Sequence, residues 1–282
     1  MKQLLLASLL AAFTGQQAAA QAKPTDLRAT EQSILQEGLA LYESERASWV
    51  ATDVLLAGKP DMTGIVGYVS YADGDSLRSV FLHQAADNAP ITARYAYSFP
   101  RAEVTPVTCR PRPARPLSAR EERLLELRLL VMQELETNKV SGQPYGFPEN
   151  TRPNIVVLDQ GPAPRAYILT GSQEEGVMPI GNDFLLRFSP AGKLTRVERL
   201  HNSFLPMHMP EGTTIEAGVH SHLPTHPFIT ATDICSVLLH QEAFPAPQHI
   251  VMGREHVSIF DAPKRQLTIL NKKVFEKTRR NR

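Results

Sequence analysis

The chain has 282 residues, and 30 Lys+Arg against 29 Asp+Glu give it a formal net charge of +1. Charge this balanced lacks the basic signature of a protein whose main task is neutralising phosphates, so no nucleic-acid partner is expected. A hydrophobic content of 42% is too high for a disordered chain, and two Cys are too few for a disulfide scaffold.

The leader comes first. Lys2 gives a positive start, Leu4–Phe13 form an apolar run too short to span a bilayer, and Ala18, Ala19 and Ala20 precede Gln21 as a cleavage site requires. Residues 1–20 are expected to be a signal peptide, so the mature protein is exported (periplasmic or secreted) without stable membrane insertion. Cys109 and Cys235 are expected to be unpaired thiols, Cys235 packing as a small hydrophobe in Ile234–Leu239.

Residues 21–100 read as an α+β unit. Leu27, Ile34, Leu35, Gly38, Leu41 and Tyr42 recur at helical spacing and predict a helix over Asp26–Val54. Tyr68–Tyr71, Leu77–His83 and Thr92–Phe99 read as strands, the first two joined by a turn at Asp73-Gly74-Asp75. Residues 101–153 read as a linker and a helix. The segment Arg110-Pro-Arg-Pro-Ala-Arg-Pro116 has the composition of an extended connection. Ser118-Ala-Arg-Glu121 is a capping box that opens a Leu-rich helix to about Glu136.

From Asn154 the pattern changes to short strands at Ile155–Leu158, Arg165–Thr170, Phe184–Phe188, Leu194–Leu200 and Ile215–Val219. A helix over Thr230–His240 follows. Strands at Ile250–Met252, Val257–Phe260 and Leu267–Leu270 close residues 154–271, and the basic tail 272–282 is expected to fray.

Five of the nine histidines lie between His201 and His226. His220 and His222 alternate at a strand end, so both imidazoles can face one point. Thr230 is placed to cap the next helix, with Asp233 at its N3 position, where the helix dipole favours an ionised carboxylate. Two imidazoles and a carboxylate around a tetrahedral ion leave one position for water, the coordination of a catalytic zinc. His201, at the end of a strand, is a candidate fourth or supporting ligand; His208 and His226 sit in Pro-containing loops and are left out.

The spacing His220-Ser-His222, Thr230, Asp233 is similar to the H-x-H-x7-S-x2-D signature of the JAMM (MPN-type) metalloprotease family. The resemblance covers residues 154–270. It implies an α/β domain, a mixed sheet with flanking helices, placed after the α+β N-terminal unit. It further implies Zn2+ held by His220, His222 and Asp233, a peptide or protein substrate, and Thr230 steadying a tetrahedral oxyanion. Leu223 stands where the family commonly has Pro, and Thr230 replaces the usual Ser. The family's upstream general-base Glu has no counterpart in matching surroundings. Glu174 and Glu175, ahead of Gly176–Gly181, are the candidates, with Asp183 as alternative. Without a base at the metal water, the same domain would be a catalytically inactive binding or scaffold protein.

Overall fold

A computed structural model describes residues 26–209 and 214–280. The expected signal peptide lies outside the described residues, and no described helix is long and apolar enough to cross a membrane. Among them the chain is a mixed α+β protein with four helices and several sheets.

Helix α1 (Leu27–Ala57) starts where the Asp26 carboxylate accepts from the amides of Arg28 and Ala29, both at 3.1 Å. It is the spine of the molecule. Leu27, Ile34 and Leu35 pack into the core beside the C-terminal sheet, Leu41 into a central core, and Ala47, Val50, Ala51 and Leu55 against the N-terminal sheet. That sheet is a meander of β1 (Ile65–Asp73), β2 (Ser76–His83) and β3 (Thr92–Pro100). Its first hairpin turns at Gly74, whose φ of 59° suits glycine. The segment expected as a free linker is extended but paired: β4 (Arg110–Arg112) and β5 (Arg115–Pro116) both add to β3. Proline is tolerated there because an edge strand leaves half its N–H groups unused.

Helix α2 (Ala119–Thr137) carries both hydrogen bonds of the expected capping box. The central sheet follows, antiparallel in the order β10-β9-β7-β6: β6 (Thr151–Leu158), β7 (Arg165–Ser172), β9 (Phe184–Phe188) and β10 (Leu194–Arg199). Both its faces are covered, which is why its strands read as apolar runs. Ile155, Val157, Ala166, Ile168 and Leu186 join the core with α2 and β1–β3. Val156, Leu158, Tyr167, Leu169 and Leu185 face Leu41 of α1 and Ala231 and Cys235 beyond it.

The remaining strands are β8 (Val177–Gly181) paired with β11 (Phe204–His208), then a mixed sheet. In that sheet β12 (Ala217–Ser221) runs parallel to β13 (Gln248–Met252), while β14 (His256–Asp261) and β15 (Gln266–Asn271) continue antiparallel. A parallel pair needs a crossover, and α3 (Ala231–Leu239) supplies it. α3 lies so close to α1 that a Cβ on Gly38 would stand 2.7 Å from Cβ of Ile234. The tail, expected to fray, forms α4 (Lys272–Arg280). Cys109 and Cys235 are both free and buried.

One polar cluster is buried between α1, β1, α2 and β6. Asn154 donates to the Glu45 carboxylate and accepts from Tyr68 Oη at 2.7 Å, and the Arg128 guanidinium stacks over the Tyr68 ring at 5.0 Å. Burial pushes Glu45 up to about 7 against the pull of Arg128.

Candidate metal centre

The β12–α3–β13 unit builds most of the site from a short stretch of chain. The backbone N–H of His222 donates to the Met252 carbonyl at 3.1 Å, extending the β12 ladder past Ser221. His220 and His222 therefore keep strand alternation and project to one side. At the start of α3 the Thr230 hydroxyl accepts from the Asp233 amide at 3.2 Å, while the Thr230 amide donates to Asp233 Oδ2 at 2.8 Å. That reciprocal pair fixes the carboxylate, and it turns Oδ1 toward the histidines.

His201 completes the group. It follows β10 by two residues, where Arg199 Nε donates to its carbonyl at 3.0 Å and Arg199 Nη2 to Asn182 Oδ1 at 2.9 Å. The ligand atoms of His201, His220, His222 and Asp233 all lie within 4.8 Å of one another, so this buried group could hold a metal ion. His222 Nε2 is 2.9 Å from His220 Nε2 and 3.1 Å from His201 Nε2. Asp233 Oδ1 is 3.2 Å from His201 Nε2 and 3.6 Å from His220 Nε2, and Oδ2 is 3.4 Å from His222 Nε2. Zinc–nitrogen bonds of ~2.0–2.1 Å make tetrahedron edges of about 3.3–3.4 Å. The donor set fits that size.

The unused atoms support the same reading. Asp233 Oδ1 is buried with no hydrogen-bond partner, and its polar neighbours are the Nε2 atoms of His201 and His220. His220 and His222 present Nε2 inward and back Nδ1 with another group, as metal-ligating histidines do, whereas His201 Nδ1 is buried with no hydrogen-bond partner. His222 Nδ1 donates to the carbonyls of Phe228 at 2.7 Å and His226 at 3.1 Å. His220 Nδ1 meets His249 Nε2 at 2.9 Å. His201 Nδ1 faces Asp183 Oδ2 at 3.7 Å.

Burial drives the electrostatics. It lowers His220 to about 4 and lowers His222, keeping both rings neutral against the attraction of Asp233. Burial also opposes charge on His201, but the Asp233 and Asp183 carboxylates outweigh it and raise that ring to about 8. Asp233 is held well below the usual carboxylate range: burial works against it, and His201 and His220 prevail. Asp183 goes the other way, raised by burial to about 6.

The three histidines line the wall of a cavity of about 370 Å3, whose other walls include Ile180, Asn202, Phe204 and Leu205. Thr230 does not line it; its hydroxyl lies 2.8 Å from Asp233 Oδ2 and orients that ligand. Glu174 and Glu175 are exposed at the turn before β8, where Glu174 accepts from Asn150 Nδ2 at 2.9 Å. It is the other end of β8, at Ile180 and Gly181, that borders the cavity. Four residues of extended chain, ~13 Å, separate Val177 from Gly181. Asp183 stands behind His201 and accepts from the Thr170 amide at 2.9 Å. Among the described residues no carboxylate lines the cavity. The sequence placed His220, His222 and Asp233 by their spacing; it gave His201 only as a candidate and passed over His249 entirely.

No protein-family model, curated protein or solved structure matches this chain.

Proposed function

We propose that the protein is a zinc-dependent hydrolase of JAMM type, acting on a peptide or protein substrate outside the cytoplasm. The observation that carries this reading is the convergence of His201, His220, His222 and Asp233 on one point, the three histidines at a cavity wall and Asp233 behind them with an acceptor atom left over. Bound zinc supplies Lewis acidity and an activated water. The chain does the rest. The Phe228 and His226 carbonyls hold His222, Thr230 holds Asp233, and the cavity receives the segment to be cut.

A second reading, a non-catalytic binding or scaffold domain, is favoured by the donor count. Four protein ligands fill a tetrahedron as structural zinc sites do, and the Glu174–Glu175 pair sits at the far end of β8. Incubating the zinc-loaded protein with a broad peptide library, with and without chelator, separates the two. Chelator-sensitive cleavage that added zinc restores supports the hydrolase. Stoichiometric zinc with no cleavage assigns the centre to the non-catalytic role. Sequencing the mature N-terminus tests export, with Gln21 expected at or near the first position and an intact Met1 contradicting it.

A further inference from the structure

We infer that His249 is a positioning residue of the metal centre, fixing the tautomer and ring orientation of His220; this rests on the metal reading of the site. Two imidazole nitrogens 2.9 Å apart, His220 Nδ1 and His249 Nε2, share one proton between them. If His220 Nε2 is to offer a lone pair to an ion alongside His222 Nε2, the proton belongs on His220 Nδ1. His249 Nε2 is then the acceptor, and His249 carries its own proton on Nδ1.

The other two histidine ligands face groups that only accept. His222 is backed by two carbonyls, and His201 faces the Asp183 carboxylate. His249 is the backing group that can also donate, so its own tautomer decides whether His220 is ready for an ion.

The fold makes a place for this ring. In the parallel β12–β13 register Gly218 is opposite His249 and His220 is opposite Val251, so glycine and both rings lie along one face. A Cβ on Gly218 would stand 2.6 Å from His249 Nδ1, closer than such atoms approach, and a tight 3.1 Å from its Cε1. His249 itself is 1% exposed, so water cannot take over its role without the ring being removed. The empty side-chain position at Gly218 is filled by the His249 ring.

Zinc affinity, measured by competition with a chromophoric chelator, tests this on the full mature chain. His249→Leu keeps a buried apolar shape and loses the acceptor; zinc affinity is expected to fall by about 10–100-fold, the usual effect of removing an outer-shell partner. His249→Gln, whose amide oxygen can accept near the Nε2 position, should recover most of that loss. Gly218→Ala keeps His249 but displaces its ring, and should weaken zinc as His249→Leu does. Circular dichroism of the metal-free variants checks that each remains folded. Nitrogen-15 spectra of the zinc-loaded wild type should show His220 protonated on Nδ1 and His249 unprotonated on Nε2. Wild-type affinity in His249→Leu, or a Gln variant no better than Leu, overturns the inference and leaves the metal reading standing. A wild-type chain that binds no zinc overturns both.

Discussion

Helices α2 and α3 begin with the same device, a hydroxyl at the cap and a carboxylate three residues on, yet the two carboxylates end differently. At α2 every lone pair of Glu121 is used. Arg115 binds it through both terminal nitrogens at 2.6 and 2.7 Å, Tyr71 Oη donates at 2.9 Å and the Ser118 amide at 2.8 Å. Burial would raise this carboxyl, but the Arg115 contact, then the Ser118 amide and Tyr71, hold it down at about 2. At α3 the cap bonds use only Oδ2 of Asp233, and Oδ1 is left among imidazole nitrogens. A guanidinium closes the first box within the protein. The second leaves Oδ1 free within a group that could hold a metal ion.

Glu45 sharpens the contrast, because its Oε1 is also buried without a partner. Its neighbours are Asn154, Tyr68 and Arg128, which offer donors and a positive charge rather than nitrogen lone pairs. An unfilled acceptor does not by itself make an ion site. The acceptor must stand among other acceptors at the spacing of a coordination shell.

The largest expected effect lies at the open box. Asp233→Asn should lower zinc affinity by about 100-fold or more, beyond the range typical of outer-shell changes, while Glu121→Gln should leave it unchanged; chelator competition reads both. At the closed box the loss is in stability. Glu121→Gln removes the charge from a carboxylate with no exposed side-chain surface whose Arg115 partner is one-third exposed, so denaturant unfolding should show a loss of roughly 2–4 kcal/mol.

The pH dependence of the two structural carboxylates runs in opposite directions. Glu121 is depressed in the folded state, so its contribution is complete above the ordinary value of 4.5 and is lost as pH falls through about 2. Glu45 is raised, so the unfolded chain releases its proton first. Its presence costs stability progressively as pH rises from 4.5 through about 7. Glu45→Gln should therefore be near neutral at pH 4.5 and stabilise by roughly 1–3 kcal/mol at pH 8; melting curves at the two pH values decide. The smallest effects belong to Glu174→Gln and Glu175→Gln. Both residues are exposed, so neither zinc affinity nor stability should move by more than about 0.5 kcal/mol.

Both capping boxes were legible in the sequence because a cap is local: Ser118 with Glu121, and Thr230 with Asp233, each lie within one helical turn. The His220–His222 pair was legible for the same reason, since strand alternation alone sets its direction. His201 was harder to assign. It reaches the centre only because β10 pairs with β9 and ends beside Asn182 and Asp183, a relation that no local spacing encodes. The β8–β11 pair left no readable strand signal, since Pro179 and Pro206 stand opposite each other within it and each lacks a backbone donor. Missing β8 had a consequence for the site. Glu174 and Glu175 sit at a plausible separation in sequence, but β8 carries the chain away from them before it meets the cavity. The Arg-Pro segment read correctly as extended; its pairing depends on the free edge of β3, which lies outside the segment.

Metal content of the purified, metal-replete chain tests the central claim most directly. Elemental analysis should find about one zinc per wild-type chain and little in His220→Ala or Asp233→Ala. His201→Ala should lose zinc as well, because the fourth donor comes from outside the β12–α3 stretch. Equal zinc in the wild type and all three variants would contradict the account.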